Sequence, residues 1–124
     1  MIDPAADLAI VEKQLPQMAP VVAGALKMDG FAGEIGAHAV AMFANVWARP
    51  GLSARDRSLV TCAMLIALRQ TEELRGHAGI ALANGVTATE LEELVFQASA
   101  YTGFPAAMTA RATIGAALAA QPAD

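Results

Sequence analysis

Helix-favouring residues fill segment after segment of this 124-residue chain, and that pattern constrains its fold more than any other feature. Ala, Leu, Met, Glu and Arg predominate, and no stretch alternates apolar and polar side chains with the β-branched or aromatic enrichment of a strand. A chain of this length is the size of one compact domain. The sequence therefore predicts an all-α protein with a single domain over residues 1–124, built from about six helices.

Prolines, glycines and capping residues predict where these helices begin and end. The predicted interruptions, in chain order, are Pro16 with Pro20, Arg49-Pro50-Gly51, Gln70, Asn84-Gly85 and Gly103-Phe104-Pro105. The second helix is expected over about residues 30–48. Thr71 is the predicted N-cap of one helix, and Thr87 with Glu90 forms the capping box of the next. Residues 121–124 are predicted to fray.

Apolar residues are unusually abundant, at 56% hydrophobic against 16% charged, and this excludes disorder driven by charge. The longest apolar run, Leu59–Leu68, is shorter than the roughly 18 residues that a membrane helix needs, so we expect no membrane partner. The apolar excess must then be buried elsewhere. We expect it to be buried between copies of the chain, in a homo-oligomer.

The net charge, the cysteine count and the first residues of the sequence restrict the partners and the cellular compartment that we expect. The net charge of −4 leaves no basic stripe for nucleic acid. A single cysteine, Cys62, excludes an intrachain disulfide, a CxxC pair and a thiolate-rich zinc site, and we expect no metal. Met1-Ile2-Asp3-Pro4 is not a basic segment followed by an apolar one, so we expect no signal peptide and a cytoplasmic location.

Two histidines each follow a glutamate by one helical turn. His77 follows Glu73 on a predicted apolar stripe, and a carboxylate at that spacing can orient an imidazole and raise its pKa, as a general acid requires. The alternative is a core histidine bonded to a backbone carbonyl. His38 follows Glu34 in the same way, but nothing else ties it to a site, and a structural or interface role is favoured.

Arginines supply the one local positive cluster of the sequence. Arg49, Arg55 and Arg57 straddle a turn and a predicted helix start, a place that suits anionic substrates. Arginines near a helix start also often pair with a neighbour such as Asp56 or with another subunit. Both interpretations stay open.

Three aromatic residues could wall a small pocket, although aromatic side chains belong more often to the core: Trp47, Tyr101 and Phe104. Cys62 lies inside the apolar run, where desolvation raises a thiol pKa. It is therefore predicted to be inert packing.

Several short motifs occur together in order along the chain. They are Val46-Trp47-Ala48-Arg49-Pro50-Gly51-Leu52-Ser53, Arg55-Asp56-Arg57-Ser58-Leu59-Val60-Thr61, Glu73-Leu74, His77, Ala81-Leu82, Asn84-Gly85-Val86-Thr87 and Tyr101-x-Gly103-Phe104-Pro105-Ala106-Ala107. As a set they resemble the carboxymuconolactone decarboxylase family over about residues 43–110. The resemblance implies the all-α, alkylhydroperoxidase-like fold of that family, assembled as trimers or hexamers.

The resemblance also separates two branches of the family. The alkylhydroperoxidase-like branch carries a glutamate, a CxxC pair and a histidine. Counted back from His77, the cysteine positions fall on Glu73 and Gln70 and the glutamate position on Ser58. The redox residues are absent, so the resemblance favours the branch that decarboxylates 4-carboxymuconolactone to the β-ketoadipate enol-lactone in protocatechuate degradation.

That reaction implies roles for particular residues. Arg49 and Arg57 would hold substrate carboxylates, and His77, oriented by Glu73, would return a proton to carbon. No cofactor is implied. The branch usually has Phe-Gly and an acidic residue where this chain has Phe43-Ala44-Asn45, so a different small acid or lactone stays an alternative. A non-redox ligand-binding relative is a further one, and a thiol peroxidase is disfavoured by the single cysteine.

Overall fold

The structure is a computed structural model that describes residues 2–122. Those residues form seven α-helices and one short 3-10 helix without a strand, which confirms the all-α prediction. The chain divides into two compact units, Met1–Ala54 and Arg55–Asp124, and each is described by itself. The single domain over residues 1–124 stays a prediction. Met1, Ala123 and Asp124, the last two within the segment predicted to fray, lie outside the described residues.

The first unit consists of α1 (Pro4–Gln14), the 3-10 helix (Pro16–Met18), α2 (Ala19–Ala25) and α3 (Ile35–Trp47). Asp3 caps α1, because its carboxylate accepts a hydrogen bond from the Ala6 N–H at 3.2 Å. Helix α3 packs against α1 and α2. The buried apolar side chains of this unit are Val11, Leu15, Val22, Val40, Ala44 and Trp47.

The sequence prediction for the first unit is wrong in two places. It missed α2, because two prolines close together were interpreted as a helix end, whereas Pro20 lies in the first turn of α2, where its missing N–H costs nothing. Helix α3 also begins at Ile35 rather than near residue 30. Gly30 (φ +71°) and Ala32 (φ +54°) take left-handed backbone conformations, which interrupt a helix there.

The second unit contains α4 (Ala54–Ala67), whose first residue ends the first unit, then α5 (Thr71–Ala83), α6 (Ala88–Tyr101) and α7 (Phe104–Ala119). Helix α7 packs against both α5 and α6. Successive turns of these helices present small and branched apolar residues to one core. Its buried members are Cys62, Ile66, Leu74, Ala78, Ala81, Val86, Leu91, Leu94, Ala98, Ala106, Ala110, Ile114 and Ala117.

Helix ends in the second unit follow the local signals with small differences. Thr87 and Glu90 form the predicted capping box, with both of its hydrogen bonds present. Gly103 (φ +98°) supplies the predicted break before α7. Helix α4 ends at Ala67 instead of near Gln70, because Arg69 turns into the left-handed region (φ +56°), and Gln70 rather than Thr71 holds the N-cap position of α5.

Among residues 2–122, no helix combines the length and the apolar character that crossing a membrane requires.

Candidate active site

His77 lies on the core-facing side of α5. Leu74, Ala78 and Ala81 are buried at steps of three and four residues around it, as the apolar stripe predicted. The imidazole itself is 7% exposed, in a stretch of helix whose other inward side chains are apolar. A titratable ring is therefore held in surroundings that disfavour its charged form.

The electrostatics of His77 differ from the sequence expectation. Burial lowers the pKa of His77 below its ordinary value of 6.5, and the nearby charge of Glu73 opposes this shift without overcoming it. Glu73 is exposed, so water screens its charge, and it forms no ion pair with His77 in the described chain. Glu73 therefore acts on the pKa in the expected direction, but burial outweighs it, so the pKa is lowered overall and the neutral ring is favoured at pH 7. Orientation of His77 by Glu73 stays a prediction.

The Nδ1 atom of His77 is buried and has no hydrogen-bond partner within residues 2–122. A core histidine with a purely structural role normally satisfies such an atom with a backbone carbonyl. Here Nδ1 makes no such bond. A buried ring nitrogen without a partner costs about 1–3 kcal/mol, and a bound ligand with a matching polar atom would remove that cost.

Ser58 and Asn84 form a second polar element in this unit, and the sequence did not single it out as functional. The Ser58 side chain on α4 is fully buried and accepts a hydrogen bond from the Asn84 side-chain amide at 2.9 Å. Asn84 is the C-cap residue of α5, so this bond ties the end of His77's helix to α4. The sequence contained one indication of this element: Ser58 is a polar residue on the same helix stripe as the apolar residues Cys62 and Ile66.

The three candidate arginines lie in different surroundings. Arg55 pairs with Asp56 at 3.0 Å and with Glu90, and the hydrogen bond from Arg55 to Glu90 raises the pKa of the guanidinium. The pKa of Glu90 is lowered, first by the backbone N–H of Thr87 and then by Arg55. Arg55 is thus held by carboxylates of its own unit. Arg57 is half-buried on α4.

The remaining candidates are spread over both units. In the first unit, Trp47 is buried at the end of α3, Arg49 is exposed in the following turn, and His38 is exposed on α3. In the second unit, Tyr101 at the end of α6 and Phe104 at the start of α7 are 82% and 68% exposed. Roles of all these residues in binding or catalysis stay predictions.

A large open groove lies between α6 and α7. Its volume is about 770 Å³, and Phe104 lines it whereas His77 does not. Most of its lining is apolar, with Glu92 and Arg111 as the charged exceptions. Phe104 and His77 therefore do not share this groove.

Cys62 behaves as the sequence predicted for buried packing. It is fully buried, and desolvation raises the pKa of its thiol to about 11. A thiol with that pKa is protonated at neutral pH, and the thiolate is the nucleophilic form. Within residues 2–122, no group of three or more His, Cys, Asp and Glu side chains is placed to hold a metal ion.

Comparison with known proteins adds a family and two relatives. A sequence profile described as the carboxymuconolactone decarboxylase family matches residues 33–115. Over 66 residues the chain is 50% identical to the 4-carboxymuconolactone decarboxylase of Acinetobacter baylyi, a match that covers 53% of this chain and 49% of that protein. It is 41% identical over 66 residues to the nitrosuccinic acid decarboxylase of Metarhizium robertsii, covering 53% and 46%. The chain thus spans about half the length of these relatives.

Proposed function

This chain belongs to the carboxymuconolactone decarboxylase family, and on that basis we propose that it catalyses the cofactor-independent decarboxylation of a small anionic lactone. The proposed substrate is 4-carboxymuconolactone and the product is the β-ketoadipate enol-lactone, in the degradation of aromatic compounds. The more similar of the two relatives, named for this substrate, supports the choice. The structural observation that carries the proposal is the buried imidazole of His77, whose Nδ1 has no partner within residues 2–122.

In both named substrates, the substrate itself can accept the electron pair that decarboxylation leaves behind. When 4-carboxymuconolactone loses CO2, the electron pair of the broken C–C bond can delocalise through a double bond into the lactone carbonyl. In nitrosuccinic acid, the substrate named for the second relative, a nitro group can accept the corresponding pair. In each case the substrate stabilises the developing carbanion. The protein then has to bind the acid, stabilise the oxyanion and supply a proton.

We assign the proton to His77. The neutral ring of the free protein gains affinity for a proton when the carboxylates of the substrate enter, because nearby negative charge raises an imidazole pKa. The imidazolium then donates its proton to the ring carbon next to the lactone carbonyl, at the far end of the shifted double bond, which gives the enol-lactone, and the imidazole becomes neutral again. Arg57, half-buried on α4, is proposed to hold a substrate carboxylate. The proposed role of Arg49 is likewise carboxylate binding, and it is tested separately by Arg49→Ala.

This assignment predicts a particular pH dependence. The protonated ring is the active form, so the rate falls as pH rises through the pKa of His77. The ratio kcat/KM reports the free protein, so its falling limb should lie below pH 6.5, whereas kcat reports the complex and should fall at higher pH. Pre-steady-state and steady-state rates measured from about pH 5 to 9 check this. Coincident limbs would show that bound substrate does not shift the pKa of the group.

The second relative favours one alternative substrate class, a small dicarboxylic nitro acid. If 4-carboxymuconolactone is the substrate, its kcat/KM for CO2 release should exceed that for nitrosuccinic acid by at least about tenfold. The reason is that a site shaped for one acid binds the transition state of the other less well, by about 1 kcal/mol or more. Parallel CO2 assays of both acids measure the ratio. A higher kcat/KM for nitrosuccinic acid would indicate that the nitro acid is the substrate. If the protein turns over neither acid, the ligand-binding alternative is favoured.

A further inference from the structure

Helix α7 has apolar side chains on both of its faces. Its inner face is buried in the core through Ala106, Ala110, Ile114 and Ala117. Its outer face carries Phe104 and Met108, which are 68% and 46% exposed, and Arg111 is the only charged residue among the sixteen of the helix. A helix without a polar face is normally covered on all sides. The outer face of α7 is therefore too apolar for a surface that remains exposed to water.

The adjacent groove extends this apolar surface onto α6. We call the lining of the groove the α6–α7 face: Ala88, Thr89, Leu91, Glu92, Val95, Phe96, Ser99, Phe104, Ala107, Met108, Arg111, Ala112, Ile114, Gly115 and Leu118. Phe96 stands out from it, 64% exposed. The face combines protruding aromatic rings with a groove of about 770 Å³, and a continuous exposed apolar surface of this kind marks an interaction site.

The two charges on the α6–α7 face have opposite signs and are not paired with each other. Glu92 on α6 and Arg111 on α7 both line the groove, and neither has an ion-pair partner within residues 2–122. A small anionic ligand could pair with Arg111 alone and would be repelled by Glu92. A partner that presents one cation and one anion satisfies both.

We propose that the α6–α7 face pairs with the same face of a second copy of this chain about a two-fold axis, with Arg111 of each copy against Glu92 of the other. A two-fold interface requires a patch that is complementary to itself. The α6–α7 face meets this requirement in two ways. It carries both an exposed aromatic ring, Phe96, and a groove that can receive such a ring, and it carries both a cation, Arg111, and an anion, Glu92. Small residues on α7, Ala112 and Gly115, permit close approach of the two helices.

The pairing changes the interpretation of Phe104. The sequence suggested this residue as the wall of a substrate pocket, and the pairing buries it between two copies instead. The inference does not depend on the decarboxylase assignment, because it uses no residue of the proposed chemistry.

Charge reversal with sedimentation analysis tests the pairing. We expect Arg111→Glu to halve the mass of the assembly, because it places two carboxylates together at both ends of the two-fold contact. Glu92→Arg should do the same by placing two guanidiniums together. The double variant exchanges the two charges and should restore the wild-type mass. Met108→Ser, which removes an apolar contact without a charge, should weaken association by about tenfold.

The matched controls are Glu93→Arg on α6 and Arg75→Glu on α5, which reverse exposed charges that do not line the groove. Both should keep the wild-type mass, and helical circular dichroism verifies folding of every variant. A wild-type mass of one chain would overturn the proposal, and so would single reversals that leave the mass unchanged or a double variant that fails to restore it. A monomer that binds an apolar dye in the groove would indicate a small-molecule ligand instead.

Discussion

Replacing His77 by glutamine is expected to lower kcat on 4-carboxymuconolactone by about 10²–10⁴-fold, the usual contribution of a positioned acid. Glutamine is close in size to histidine and keeps a hydrogen-bond donor, but it cannot deliver a proton. KM should rise by much less than kcat falls, because the imidazolium that forms in the complex also attracts the substrate carboxylates, whereas the proton is transferred only in the transition state. Steady-state kinetics of the two proteins at matched concentration measure the loss.

Two further variants separate a chemical role of His77 from a structural one. Thr113→Val removes a buried polar group on α7, whose hydroxyl donates to the Thr109 carbonyl at 3.0 Å, and should leave kcat within a few-fold. His77→Ala should regain part of its activity when imidazole is added, since the truncated site can admit the small acid. Full activity in His77→Gln, with no effect of added imidazole on His77→Ala, would contradict the assignment.

Gly36→Ala is expected to destabilise the first unit by about 3 kcal/mol or more, at the upper end of what overpacking costs. A Cβ at Gly36 would overlap the Ala25 carbonyl oxygen and would lie 2.8 Å from the carbonyl carbon. Both atoms are backbone, so the end of α2 would have to move away from α3. Denaturant titration followed by circular dichroism gives the free energy of unfolding.

The matched control for Gly36→Ala is Gly24→Ala within α2. No atom lies within 4 Å of a Cβ built there, and the position is exposed. Alanine in a helix loses less backbone entropy than glycine, so this variant should gain about 0.5–1 kcal/mol. Opposite signs for the two substitutions are the expected result. A Gly36→Ala variant as stable as the wild type would show that α2 and α3 are farther apart than described.

Features set by neighbours in the sequence were predictable. The capping box at Thr87 and the break at Gly103 depend on residues within one turn, and both are present. Helix α2 was missed, because a proline ends one helix and begins another equally well, and only the packing of α2 against α3 decides between them.

The candidate site was predictable in position but not in electrostatics. The apolar stripe on α5 placed His77 on the inside, and the structure confirms this burial. The direction of its pKa shift depends on whether desolvation of the ring outweighs the charge of Glu73. No local sequence pattern predicts that balance. Ser58 and Asn84 are 26 residues apart, so their hydrogen bond required the folded chain to be seen.

The α6–α7 face was visible in the sequence only as an excess of apolar residues. That excess predicted self-association without indicating where it occurs. Alanine and glycine suit both faces of α7, so periodicity could not distinguish the core side from the outer side. The packing of α7 against α5 and α6 makes the distinction and leaves Arg111 outside.

The most direct test of the central claim follows the ultraviolet absorbance of 4-carboxymuconolactone together with CO2 release, for the wild type, Cys62→Ser and His77→Gln. The account predicts one CO2 per substrate consumed, similar rates for the wild type and Cys62→Ser because the buried thiol is protonated, and a rate at least about 100-fold lower for His77→Gln. Absence of CO2 release from the wild type, or consumption of a hydroperoxide that depends on Cys62, would contradict it.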